Sequence, residues 1–381
     1  MLTPEYLANV DKQVISLYED VEDIILKDVA KRLANAKEIT DYTEAQIKVL
    51  IENSKTNEDI WKKINPYLDK IDTNLKNTID KSAITHYVDE KNAYEMANKS
   101  MVDYLKNERA MKITDEIKDS LIQNNRILSQ SMGFAYDGKT YLLDNYYRQQ
   151  LNRHTLMVSS GAFSFDDSSI MLVNKLADSG IKSIDYMNSG RSYSLEAASR
   201  MLIRGGINDL TNRISLMNAE EMGQDLMEIS AHGGARPSHA IWQGKIVSLS
   251  GTNSKYLTLD DIGYGEVTGF KGANCRHDRY PYFEGISERL YTEEYLDDLD
   301  NPDFEYEGET YTHYEATQKA RQIERTIRKY KKRAIMYKEL GNKDIVATNQ
   351  ARLMNNFRKY EDFLKVSDLK PRYSATYVYG E

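Results

Sequence analysis

Cysteine occurs once in this chain of 381 residues, at Cys275, and histidine only six times. A single thiol excludes an intrachain disulfide framework and an all-cysteine metal site, so any metal held by Cys275 needs histidine partners. Glycine is absent before Gly133, and proline is absent between Pro66 and Pro237. The first half therefore lacks the two residues that most often interrupt helices. No apolar run approaches the roughly 18 to 20 residues that span a bilayer. The start, Met1-Leu2-Thr3-Pro4-Glu5, lacks the basic and apolar stretches of a signal peptide. Synthesis and folding in the cytosol, without membrane contact, are the expectation. A net charge of -8 with 29% charged residues argues against a chain that coats nucleic acid along its whole surface, and leaves room for a local basic element.

What fills the first half is helical periodicity. Val14, Leu17, Val21, Ile24, Ile25, Val29 and Leu33 recur at steps of three and four, with Glu19, Glu22, Asp23 and Lys27 opposite. Capping-box spellings at Thr43-Glu44-Ala45-Gln46 and Thr56-Asn57-Glu58-Asp59 each predict the start of another short helix. Pro66 fits a helix start or a break between helices, and the stretch from Ile71 to about Ser129 is amphipathic again. This long helical region is either an arm that docks a partner or a bundle whose stripes pack on one another, because amphipathicity alone serves both.

Beyond Gly133 the pattern shortens. Tyr136 to Tyr141 spells a hairpin, Gly161, Gly180 and Gly190 separate helical pieces, and Gly205-Gly206 predicts a helix end after Arg204. A further helix is expected through Leu210, Ile214 and Met217, and a strand at Ile246-Val247-Ser248-Leu249. Eight of the 20 glycines fall between Gly233 and Gly272. Glu284 to Glu309 then holds eleven carboxylates and one arginine, and Lys319 to Arg333 holds eight basic residues and one acid. That basic helix, with Arg325, Arg328, Lys329, Lys331, Lys332 and Arg333, reads either as a DNA-contacting or portal-contacting face or as a face neutralised by the acidic run beside it. Leu340-Gly341-Asn342 ends it, Ala351, Met354, Phe357 and Tyr360 mark an antiparallel partner helix, and Tyr373 to Tyr379 alternates like a last strand.

Three histidines, His232, His239 and His277, share the glycine-rich segment with Cys275. Imidazole and thiolate are zinc's preferred ligands, and one cysteine with three histidines would complete a tetrahedral, structural shell. The one-residue spacing of Cys275 and His277 is not that of a zinc knuckle. The other reading is a small core whose histidines meet backbone carbonyls around an inert buried thiol. A third reading takes His239, Asn274 and His277 as ligands of a metal-dependent hydrolase of nuclease type, its acidic ligand coming from Asp278 or elsewhere. No nucleophile elbow and no phosphate-binding loop occurs.

The blocks His232-x-Gly-Ala-Arg-Pro-x-His239-x-x-Trp242-Gln-Gly-Lys245, Gly263-Tyr264-Gly265 and Gly272-Ala273-Asn274-Cys275-Arg276-His277 resemble tailed-phage minor capsid proteins of the second minor-capsid type, related to Mu-type head morphogenesis proteins. Gly190-Arg191-Ser192-Tyr193-Ser194-Leu195-Glu196, Tyr314-Glu315-Ala316-Thr317-Gln318-Lys319 and Glu324-Arg325-x-x-Arg328 are similar to the same family. The resemblance implies a non-catalytic structural protein of the phage head, associated with portal and capsid, retained inside the virion after assembly in the host cytoplasm, with packaged DNA as a further contact. In the wider family this region often carries more cysteines, and here His239 and His277 stand where some of them would be expected. Zinc at His232, His239, Cys275 and His277 is the cofactor expectation, with Arg236, Pro237, Trp242, Gly244, Asn274 and Arg276 as the surrounding structural motif. The fold expected is α+β: a helical region over 1–132, a helical part of the module over 133–230, a glycine-rich β-containing segment over 231–285, and over 286–381 an acidic linker, a basic helical hairpin and a terminal strand.

Overall fold

A computed structural model describes residues 2–36, 42–136, 138–146, 149, 152–160, 163–299, 304–372 and 376. In chain order the elements are α1 (Pro4–Asn9), α2 (Lys12–Ala36), α3 (Tyr42–Met96), α4 (Glu108–Gln130), β1 (Met132–Tyr136), β2 (Lys139–Leu142), α5 (Leu143–Tyr146), α6 (Asn152–Ser159), α7 (Phe165–Ser179), β3 (Lys182–Ser183) and β4 (Tyr193–Ser194). They continue as α8 (Leu195–Met222), β5 (Leu226–Ile229), α9 (Pro237–Ala240), β6 (Ile246–Ser248), β7 (Leu257–Thr258), β8 (Arg279–Pro281), α10 (Glu293–Asp298), β9 (Phe304–Tyr306), β10 (Glu309–Tyr311), α11 (His313–Glu339) and α12 (Lys343–Ser367). The class is α+β, as expected. The expected strand over Tyr373 to Tyr379 lies outside the described residues, Thr376 aside, as do Asp137 of the hairpin and Gly161.

Packing divides the chain into two units that interleave in sequence. The first comprises Met1–Gln13, Asp72–Asn125 and Arg200–Gln318; the second comprises Val14–Ile71, Arg126–Ser199 and Lys319–Glu381. The compositional stretch 1–132 thus supplies helices to both. Its apolar stripes are spent on cores, with Val21, Ile25, Val29, Leu75, Ile79 and Tyr87 fully buried, and each unit also takes segments from later in the chain.

Two local rules are overridden by burial. The capping box at Thr56 and the break at Pro66 both fall inside the single 55-residue helix α3, whereas Thr43 sits in its first turn. Proline inside a helix costs about 3 kcal/mol, but Ile60, Ile64 and Ile71 around it are fully buried, each worth about 1.5–3 kcal/mol. Likewise α8 runs straight through Gly205-Gly206 instead of ending there. Ile203, Ile207, Leu210 and Ile214 are buried along it, and a Cβ on Gly206 would meet Leu121 Cδ1 at 3.0 Å, so that glycine serves close helix packing. Gly205 meets nothing within 4 Å. Gly205→Ala should therefore raise unfolding free energy by about 0.5–1 kcal/mol, and Gly206→Ala should give less or none, in parallel chemical denaturations.

The first unit holds a four-stranded sheet in the order β7-β6-β5-β8. Central β5 pairs antiparallel with β6 (Met227 opposite Val247) and with β8 (Glu228 opposite Tyr280), while β6 and β7 are parallel. All four residues of β5 are buried, which explains its unbroken reading Leu226-Met227-Glu228-Ile229. Ile229, Trp242, Val247, Ile262, Phe270 and Cys275 form the core on this sheet.

In the second unit the sheet order is β2-β1-β3-β4, with the predicted hairpin as β1 and β2 and Tyr136 opposite Lys139. Helices α11 and α12 make the expected antiparallel hairpin. Tyr360 donates to Glu324 at 2.8 Å, Lys331 Nζ lies over the Phe357 ring and the Arg352 guanidinium over Tyr330. No described helix is long and apolar enough to cross a membrane.

Candidate metal centre

Two sequence blocks some thirty residues apart meet because β5 and β8 are neighbours. Their pairing continues past the strand ends, with the Ser230 amide donating to the Asp278 carbonyl at 2.8 Å and the Asp278 amide to Ser230 Oγ at 2.9 Å. That contact sets His277 beside the turn leading into α9, which Pro237 opens at its first position and which carries His239. Asn274 adopts φ 57°, a left-handed conformation that asparagine tolerates, and Asn208 Nδ2 donates to the Cys275 carbonyl at 3.0 Å. Gly272 allows the loop to close tightly, since a Cβ there would lie 2.4 Å from the Glu266 carbonyl oxygen.

Of the four residues expected to share a metal, three converge. His239 Nδ1 and His277 Nδ1 are 3.3 Å apart, and Cys275 Sγ lies 3.6 Å from the latter and 4.0 Å from the former. All three residues are buried, and among the described residues they form the histidine, cysteine and carboxylate group whose ligand atoms meet. His232 stands apart from that group. Its ring stacks on His277 at 4.5 Å, and its Nδ1 lies 2.9 Å from the Gly233 carbonyl and within reach of the Arg276 guanidinium. Of the four residues named, His232 does not join the group whose donor atoms meet.

Hydrogen bonds fix which ring nitrogens face inward. His239 Nε2 is 2.8 Å from the Thr268 carbonyl, so that nitrogen carries the hydrogen and Nδ1 the lone pair. His277 Nε2 is 3.1 Å from Gln243 Oε1, and the same oxygen accepts from the His232 amide at 3.2 Å, which settles the orientation of the side-chain amide. His277 Nδ1 therefore also presents a lone pair. Burial first, and then neighbouring cations, push His239 down to about 4 and His277 well below the usual imidazole range, while burial pushes the Cys275 thiol up. Two electron-pair donors and a thiol thus face one another in a buried site with a single proton among them.

The remaining motif residues build the walls. Arg236 donates to the Ala273 carbonyl at 2.6 Å, Arg276 Nη2 lies 3.2 Å from His232 Nδ1, and buried Trp242 packs edge-on to Phe270 and to His277. Gly244, with φ +69°, passes Leu296 at a distance no side chain would allow. The hydrolase ligand set does not assemble: Asn274 is exposed, and Asp278 faces away to Lys271 Nζ at 2.6 Å and His86 Nδ1 at 3.4 Å.

Sequence reading missed the groups behind the site, namely Gln243, the Thr268 carbonyl, His86 and Glu90. His86 Nε2 lies 2.8 Å from Ser215 Oγ, giving the order Ser215, His86, Asp278 of a hydrolase triad. Ser215 is fully buried and donates to Glu90, so it offers no nucleophile to a substrate.

The profile of the family described as phage minor capsid protein 2 matches residues 2–365. The chain belongs to that family. A protein called "Structural protein" from Lactococcus phage LL-H is 26% identical over 256 residues, 66% of this chain and 65% of that one. Another "Structural protein", from Lactococcus phage mv4, is 31% identical over 113 residues, 30% of this chain and 80% of that one. The chain thus spans slightly under two thirds of the length of the first of these relatives. No solved structure matches. For this minor capsid family member the histidine and cysteine cluster and its walls all lie within the matched residues.

On helix α11 the structure commits the basic residues to acids within the second unit. Arg328 contacts Glu196 and lies 3.4 Å from Glu19; Lys332 reaches Glu22 at 2.6 Å; Lys329 and Arg333 share Asp178 at 3.2 and 2.7 Å. Lys331 is buried against Phe357, which leaves Arg325 as the exposed member of the six. A phosphate-binding stripe does not fit this geometry. The partners are also not the acidic run just upstream, as the sequence suggested.

Proposed function

We propose that this protein is a non-catalytic structural component of the phage head that associates with the portal during assembly in the host cytoplasm and stays inside the virion. The family match over nearly the whole chain carries the reading, and the two relatives named as structural proteins support it. Geometry agrees. The serine, histidine and aspartate set that resembles a catalytic triad is fully buried, which leaves its hydroxyl no access to a substrate. Contact with packaged DNA through α11 is not part of this reading, since four of its six candidate cations, Arg328, Lys329, Lys332 and Arg333, already hold carboxylates.

Untagged full-length protein mixed with assembled portal rings should co-sediment with them, and procapsids should show its density at the portal vertex by cryo-electron microscopy. Procapsids lacking that density while the protein is present elsewhere in the shell would overturn the portal assignment.

A further inference from the structure

We propose that His239 Nδ1, His277 Nδ1 and Cys275 Sγ hold one zinc ion, with the fourth coordination position left to water. Two of the three donor separations are those of a tetrahedral zinc face, and the third, Cys275 Sγ to His239 Nδ1, is longer. Zinc to nitrogen bonds of about 2.0–2.1 Å and a zinc to sulfur bond of about 2.3 Å, at tetrahedral angles, place two nitrogens about 3.3 Å apart and nitrogen about 3.6 Å from sulfur. The observed edges are 3.3, 3.6 and 4.0 Å.

Without a cation the same arrangement is unfavourable. Both Nδ1 atoms present lone pairs, because Thr268 and Gln243 hold the Nε2 hydrogens, and the one proton on sulfur can bridge to only one of them. A carbonyl or amide oxygen on the far nitrogen of each ligating imidazole is also the usual outer support of a metal site, since it fixes the tautomer and raises ligand basicity. On binding, the ion takes both imidazole lone pairs and the sulfur pair, and the thiol proton leaves to solvent. The softness of the donors selects zinc over magnesium or calcium, which take oxygen.

The ion would staple the turn before α9 to the loop before β8, two segments with little regular structure of their own. In the core around them Trp242 and Phe270 are the largest side chains, and a metal supplies cohesion that so small a core lacks. His232 acts as a wall, stacked on His277 and held by Gly233.

Full-length protein made without a polyhistidine tag and purified without chelator should contain about one zinc per chain by elemental analysis, and its melting temperature should fall on chelation. X-ray absorption at the zinc edge should show one sulfur and two imidazole nitrogens, a reading that needs no variant. Cobalt(II) substitution should give a thiolate charge-transfer band that Cys275→Ser removes, and His232→Gln should keep the metal that His277→Gln loses. Folded protein that takes up no zinc after dialysis against it, a shell without sulfur, or equal loss of metal in His232→Gln and His277→Gln would each overturn the assignment.

Discussion

His86→Gln is expected to destabilise the unit that carries the metal cluster by about 3–5 kcal/mol at neutral pH, because it leaves buried carboxylates without their central cation. His86 lies on α3 with no exposed surface, 3.4 Å from Glu90 Oε1 and 3.4 Å from Asp278 Oδ2. Burial alone would push this imidazole down, but Glu90 and Asp278 outweigh it and raise it to about 9. Both ring nitrogens therefore carry hydrogens at pH 7, and Ser215, whose own hydrogen goes to Glu90, accepts from Nε2. Lys271 pairs with Asp278, and Arg279 completes the charged set.

A group whose pKa is raised in the folded state contributes stability that is complete below its unfolded value and lost as pH rises through the folded one. His86 thus predicts falling stability from about pH 6.5 to about 9. On the acid side, the attraction of His86 lowers Glu90 despite its burial, and Lys271 and His86 hold Asp278 far below the carboxylate range, so the stability these two carboxylates contribute is complete above the ordinary carboxylate range and declines as pH falls below it. In a Trp61→Phe background the fluorescence of Trp242 reports on this unit. Urea titrations should show a lower midpoint for His86→Gln at pH 7 and a much flatter decline between pH 6.5 and 9. An unchanged decline would refute the assignment of that limb to His86.

The helical first third, the glycine-rich module and the basic hairpin were legible because periodicity and composition are local signals. His239, Cys275 and His277 were legible as a candidate cluster because a lone cysteine among scarce histidines leaves few candidates, whereas His232, read with them, stands apart. Its support was not, because a backbone carbonyl such as that of Thr268 has no side-chain signature, and Gln243 looks like any polar residue after a tryptophan. His86 and Glu90, four apart on an amphipathic helix, spell an ordinary solvated pair until β8 brings Asp278 against them. Pro66 and Gly205-Gly206 misled for the opposite reason: their local costs of about 1–3 kcal/mol are smaller than the burial of the isoleucines and leucines beside them. The acids that neutralise α11, Glu19, Glu22, Asp178 and Glu196, lie at least 130 positions upstream of their partners, and no charge count within a window could find them.

That same cluster carries the second large expected effect. Arg328→Met should cost the other unit about 3–5 kcal/mol, because the guanidinium is largely buried against two carboxyls that would keep their burial and lose their partner. Three carboxyls, Glu19, Glu22 and Glu196, meet two cations in contact, Arg328 and Lys332. One carboxyl should therefore stay protonated, and burial, opposed by Arg328 but aided by Glu196 and Glu22, pushes Glu19 up to about 8. An acid raised in this way favours the fold while protonated, so its contribution is complete below about pH 4.5 and is lost as pH climbs toward 8. Glu19→Gln should then be close to neutral below about pH 4.5 and increasingly stabilising as pH rises toward 8. Charge assignment decides the double variants. In the Arg328→Met background, Glu196→Gln should recover more stability than Glu19→Gln at pH 6, since Glu196 holds the charge that Arg328 balances. Hydrogen exchange of peptides from α2 and α11 reads both variants within this unit. Equal recovery by the two would mean that Glu19 is ionised and the proton sits elsewhere.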